Sequence, residues 1–181
     1  MKKKAKGMFN VRALVETALL VAAGFVLSYV KILSFPQGGS VTLLSMLPIV
    51  LIGIRRGPAW GFAGGFVYSI LQLIQDGGSF AIHPAAFALD YLLPFTAMGL
   101  SGLFRKMGKG LLASVPVCLG VRFIFHFASG VILWAAYAPE GMNAYLYSLI
   151  YNGSYMGVEL VTTFIAAVLM TRFIPRKILY P

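Results

Sequence analysis

The sequence predicts an all-α integral membrane protein, a bundle of six transmembrane helices with both termini cytoplasmic. Three observations carry that prediction. Hydrophobic residues make up 59% of the 181 and charged residues only 11%, with a mean hydropathy of +0.84, a composition far from that of soluble domains. The apolar residues gather into long runs separated by short connections. Finally, 13 of the 15 Lys and Arg residues fall on one side of the predicted membrane, as the positive-inside rule requires.

Lys2, Lys3, Lys4, Lys6 and Arg12 introduce an apolar run over residues 11–30. That run is long enough to span a bilayer, and no small-x-small cleavage site with a soluble domain behind it follows, so it reads as a retained first helix. The second span, residues 41–54, is short and holds Pro48, which predicts a kink, a tilt or an extension into the preceding loop. Residues 60–74 form the third, where Gly57, Gly61 and Gly65 recur at every fourth position and predict close helix packing. Spans over 84–104, 111–137 and 145–173 complete one membrane domain covering 1–181. With the N-terminus inside, Arg55, Arg56, Arg105, Lys106, Lys109, Arg172, Arg176 and Lys177 also lie inside, only Lys31 lies in an outer loop, and Arg122 lies within the membrane. The net charge of +10 therefore marks a membrane face and not a nucleic-acid groove. The single cysteine, Cys118, provides no disulfide framework or metal cluster and reads as a small buried hydrophobe.

Ionisable residues inside a membrane are functional suspects: here Glu16, Asp90, Arg122, His126 and Glu159. At ~1.5 Å per helical residue, Asp90 lies ~9 Å and His126 ~16 Å below the outer surface, with Trp134 near that surface. Arg122, His126, Gly130 and Trp134 recur every fourth residue, so a helix places them on one face. Tyr147 and Asn152 enter the last helix from the same outer side, so Asp90, Tyr91, His126, Gly130, Trp134, Tyr147 and Asn152 converge in the outer half of the bundle. Such a set suits a flat, cationic, polar ring compound. Trp134 and His126 offer faces for stacking, Asp90 the opposite charge, and Asn152 both a donor and an acceptor, while Gly130 leaves room for a ring.

Plainer roles stand beside these. Trp134 and Tyr147 fit an aromatic belt, His126 a hydrogen-bonded bundle histidine, Asn152 helix–helix glue, and Arg122 with Glu159 a mutual ion pair. Glu16 reaches the interface or caps the first turn. The turn-rich loop at residues 34–40 is either a lid over the site or an ordinary turn. Asp76-Gly-Gly-Ser79 carries little signal, and His83 reads as interfacial. The stretch Gly102–Lys109 fails as a phosphate loop, being one residue too long and followed by Gly110 where Ser or Thr is needed, so the chain holds no ATP site there. Ser101 and His126 lie at different depths and form no hydrolase pair. No enzyme constellation emerges, whereas an ion-coupled secondary transporter using Asp90 or Glu159 remains an alternative.

Phe9-Asn-Val-Arg12, Pro36-Gln-Gly-Gly-Ser40, Arg55-Arg-Gly57, Leu89-Asp-Tyr91, residues 122–130, Tyr137-Ala-Pro-Glu-Gly141 and Tyr147-Ser-Leu-Ile-Tyr-Asn152 together resemble the ThiT/YuaJ family, the thiamine-specific S-components of energy-coupling factor (ECF) transporters. The resemblance implies a six-helix bundle in the bacterial cell membrane that captures extracellular thiamine. Transport would then depend on a membrane T-component and two cytoplasmic ATPase subunits, with no cofactor, metal or catalytic residue. It further implies a pocket built from Asp90, Tyr91, Arg122, His126, Gly130, Trp134, Tyr147 and Asn152, and a T-component contact at Ala18 and Ala22; within such a pocket Arg122 would lie towards the hydroxyethyl end, where a cation repels the thiazolium least. The family's acidic pocket position is Glu in some members and Asp here. An S-component for another vitamin is the nearest rival.

Overall fold

The computed structural model describes residues 10–79, 81 and 83–181; the readings of Lys2, Lys3, Lys4, Lys6 and Phe9 lie outside the described residues. The chain is mostly helical. Helix α1 (Val11–Ser28) leads into a two-stranded antiparallel hairpin, β1 (Lys31–Ser34) and β2 (Ser40–Thr42), and then into α2 (Met46–Arg56) and α3 (Pro58–Gln75). The next helix, α4 (Pro84–Phe104), is followed by α5 (Gly110–Ile132), a 3₁₀ turn at Ala135–Tyr137, α6 (Ala144–Phe173) and the short α7 (Arg176–Leu179). Four of these, α1, α4, α5 and α6, are long and apolar enough to cross a membrane.

Helix α2 is the centre of the packing. Every residue from Met46 to Ile54 is buried, as suits a helix that is apolar all round. Helices α1, α3, α4 and α5 surround it. Pro48 sits in its first turn, where a missing N–H costs no hydrogen bond, so no kink forms there. The span expected at 41–54 is thus corrected: Val41 and Thr42 belong to β2, and the helix begins only at Met46. Eleven residues cover ~16 Å, about half of a bilayer's apolar thickness, and the hairpin and a cavity occupy the depth beyond its N-terminal end.

Two other helix ends come earlier than expected, and a third helix keeps its bounds but is irregular within them. Helix α1 ends at Ser28 instead of near residue 30. Helix α5 stops at Ile132, so residues 133–137 continue as an irregular turn and not as helix. Helix α4 is continuous but irregular, widening into a π-helical segment at Phe87–Leu92 and tightening to 3₁₀ geometry at Ala97–Phe104. Pro94 explains the widening. It has no N–H to give the Asp90 carbonyl and its ring crowds that carbonyl, and the Leu93 N–H reaches back to Ala88 instead. The widened turn carries Asp90 and Tyr91.

Of the three glycines read as a packing stripe, two act so. A Cβ on Gly61 would lie 2.9 Å from the Gly99 Cα of α4, and one on Gly65 would strike the Phe95 carbonyl. Gly57 has a different task, turning the chain between α2 and α3 at φ +89°. Glu16 does not cap α1, whose N-cap is Asn10; it pairs with Arg55 and Arg56 of α2. Ala18 and Ala22 are exposed, on the face of α1 opposite the buried Ala13, Thr17, Val21 and Gly24. Cys118 is buried and free.

The hairpin docks on α6. Phe35 stands edge-on to Tyr151 (centroids 6.0 Å apart) and also meets Tyr155 at 5.8 Å, and the Gly39 N–H donates to the Tyr151 hydroxyl at 3.0 Å. Gly39 must lack a side chain, because a Cβ would lie 2.7 Å from the Tyr155 ring. The stretch at 34–40 is therefore more than an ordinary turn.

Two outcomes follow from this packing. Gly65→Val should destabilise the bundle by about 2 kcal/mol, seen as a lower thermal midpoint of the detergent-solubilised chain; an unchanged midpoint would contradict the α3–α4 contact. Tyr151→Phe should speed amide exchange at Gly39 by about 2- to 10-fold, the worth of one hydrogen bond, as read by hydrogen-exchange mass spectrometry of the hairpin peptide; equal rates would contradict the docking.

Candidate functional site

A cavity opens where the hairpin meets α3, α4, α5 and α6. All eight residues selected from the sequence line it: Asp90, Tyr91, Arg122, His126, Gly130, Trp134, Tyr147 and Asn152.

Asp90 is the organised anion. The Ser129 hydroxyl donates to its Oδ2 at 2.8 Å and the Trp134 indole N–H donates to the same oxygen at 3.0 Å. Its Oδ1 lies 3.4 Å from His126 Nδ1. Both His126 and Asp90 keep little exposure, with side chains 11% and 15% accessible, so the carboxylate acts in a poorly hydrated setting where electrostatic contacts are strong. Trp134 reaches this position from the turn beyond α5, not from the helical stripe that its spacing suggested.

Arg122 pairs with Glu159, as one of the two sequence readings held. Its guanidinium also lies 5.1 Å from the centre of the Phe95 ring. Glu159 is 1% exposed and its Oε1 accepts from the Thr42 hydroxyl of β2 at 3.0 Å.

Asn152 is held by the protein on both sides of its amide. Its Nδ2 donates to the Ser148 carbonyl at 3.0 Å and meets the His126 carbonyl at 3.3 Å, while its Oδ1 accepts from the Tyr155 hydroxyl at 2.9 Å. It ties α6 to α5 at the cavity wall. Gly130 has a further reason to lack a side chain: a Cβ there would strike the Ser148 hydroxyl, so its bare backbone also serves the close approach of α5 to α6.

Sequence reasoning missed the opposite wall. Asp76, passed over as a loop residue, lines the cavity and accepts from the Tyr91 hydroxyl at 3.2 Å. Burial pushes its carboxyl up from the ordinary value, against the opposing pulls of the Lys31 ammonium and the Tyr91 hydroxyl. Gln72 and Gln75 join it and hydrogen-bond Ser28 of α1 at 3.0 and 2.7 Å. Tyr151 and Tyr155 were also missed as lining residues. Their signal was available, since Tyr147, Tyr151 and Tyr155 recur every fourth residue, and the rings form a ladder with 5.8 Å between successive centroids. The arrangement offers a desolvated carboxylate, flat aromatic surfaces and amide groups around one space. That combination is suited to a planar organic cation. His83, by contrast, is exposed and caps α4, its Nδ1 accepting from the Ala85 N–H.

Comparison with known proteins agrees with this chemistry. The profile of the thiamine transporter protein family (Thia_YuaJ) matches residues 14–179. The thiamine transporter ThiT of Bacillus subtilis is 35% identical over 178 aligned residues, covering 90% of this chain and 92% of that protein. The ThiT of Lacticaseibacillus paracasei is 32% identical, covering 87% of this chain and 86% of that one. A solved structure of ThiT from Listeria monocytogenes superposes with a TM-score of 0.78 at 27% identity, over 94% of this chain and 98% of that structure's chain. The chain is a multi-pass membrane protein of a transporter family and not an enzyme. It belongs to the thiamine transporter (Thia_YuaJ) family.

Proposed function

We propose that this chain is the thiamine-binding S-component of an ECF-type importer. In this reading it crosses the bacterial plasma membrane six times with both termini cytoplasmic, captures external thiamine, and hands it to an ATP-driven module. The observation that carries the reading is the Asp90 carboxylate, held by Ser129 and Trp134 beside His126 at the wall of an aromatic cavity, in a chain whose relatives are named thiamine transporters.

Thiamine carries a permanently charged thiazolium ring and an aminopyrimidine. The thiazolium would stack between His126 and Trp134. The aminopyrimidine would meet Asp90 and the Tyr147 end of the tyrosine ladder. Asn152 acts mainly by holding α6 in place, and the Arg122–Glu159 pair lies towards the hydroxyethyl end. The hairpin at 31–42 would serve as the lid. The exposed apolar face of α1 with Ala18 and Ala22 supports a helix contact with a T-component, and two separate ATPase subunits would supply the energy.

Titration of the purified full chain with thiamine should quench tryptophan fluorescence, while riboflavin and biotin should not. Asp90→Ala should raise the thiamine Kd by about 100-fold or more, the scale of losing a buried charge partner. Trp134→Ala should weaken binding in a calorimetric titration, since Trp60 would dominate the remaining fluorescence. Indifference of the wild-type chain to thiamine would end the assignment. Uptake into proteoliposomes by this chain alone, driven by an ion gradient, would favour the secondary-transporter reading over the ECF one.

A further inference from the structure

The residues lining the cavity pose a charge problem. Among the described residues, the charged lining groups are two cations, Lys31 and Arg122, and two anions, Asp76 and Asp90. These four cancel in sum, so how strongly the cavity favours a cation depends on how far the Asp90 side outweighs the Arg122 side. A further carboxylate stands just behind the wall. Glu159 does not line the cavity, is 1% exposed, and pairs with Arg122. Both of its oxygens accept hydrogen bonds, Oε2 from Arg122 and Oε1 from Thr42, which is the pattern of an ionised carboxylate. The Thr42 hydroxyl is in turn 2.6 Å from Ser45 at the start of α2.

We propose that Glu159 is the residue that sets charge selectivity, cancelling Arg122 from behind so that the cavity favours a monocation over its phosphate esters. This rests on the thiamine reading given above and assigns that site a specificity residue that never touches the ligand. Thiamine has a net charge of one, and a phosphate ester of it is neutral to anionic at pH 7. Removing Glu159 would leave a bare guanidinium facing the ligand, which repels the first and attracts the second. A unit charge within ~10 Å at an effective dielectric constant of about 20 moves such an affinity by roughly tenfold.

The test is calorimetric titration of the full chain in detergent with thiamine and with thiamine monophosphate, read as the ratio of the two Kd values. Glu159→Gln should lower the discrimination against the phosphate ester by about tenfold or more. Arg122→Gln should move the ratio in the opposite direction, and the double variant should return it to within about threefold of wild type. If Glu159→Gln yields no folded protein, the shift of the ratio between Arg122→Gln and the double variant carries the same test. Parallel weakening of both ligands with an unmoved ratio would make Glu159 a purely structural residue and overturn the proposal while leaving the thiamine reading intact. Failure of the wild-type chain to bind thiamine would overturn both.

Discussion

An ionised side chain inside an apolar bundle needs a partner, and this structure is arranged around meeting that need. Asp90 of α4 is bonded by Ser129 and Trp134, which belong to α5 and the turn after it. Arg122 of α5 pairs with Glu159 of α6, and Glu159 also holds Thr42 of the hairpin. Asp76 at the end of α3 accepts from Tyr91 of α4. Each bond that compensates a costly group also joins two elements. The bonds that shape the cavity and the bonds that hold its walls together are therefore the same ones.

The second constraint is the short central helix. Because α2 covers only about half of an apolar bilayer, the six-span reading would leave empty depth above it. The hairpin fills the upper part, its backbone paired between β1 and β2 with Lys31 opposite Thr42 and Ser34 opposite Ser40. Non-helical backbone at such depth is tolerated where protein or an aqueous cavity surrounds it. The cavity is thus a consequence of how α2 begins, at Met46 and not at Val41.

A family that moves thiamine needs a site that is both selective for a cation and able to release it. In the proposed reading the hairpin would supply contact area gained on closure and lost on opening, whereas Asp90, the Arg122–Glu159 pair and the tyrosine ladder stand on helices. In the proposed reading, charge selects the ligand and the hairpin controls its residence. Ala18 and Ala22 of the exposed α1 face do not line the cavity, so in the proposed reading ligand recognition and partner contact would use different residues.

Much of this was legible in the chain itself. Composition and the runs of apolar residues determined a helical membrane protein, since the backbone in lipid must form helices or a closed barrel, and barrel strands alternate apolar and polar residues where these runs are continuous. The five ionisable residues and the spacing of four from Arg122 to Trp134 determined which side chains to watch, because buried charges and helical periodicity both reflect local chemistry. Only the tertiary structure decided what each of them faces. Pro94 widened α4 and re-aimed Asp90 and Tyr91, the early end of α5 put Trp134 on a turn, Gly130 proved to accommodate Ser148, and Asp76 came from a loop with no motif to join the wall. The widening at Pro94 and the end of α5 are local, but what the re-aimed side chains meet is set by bonds such as Asp90 to Trp134, 44 positions apart, and pattern within a helix carries no information about which neighbour its face will meet.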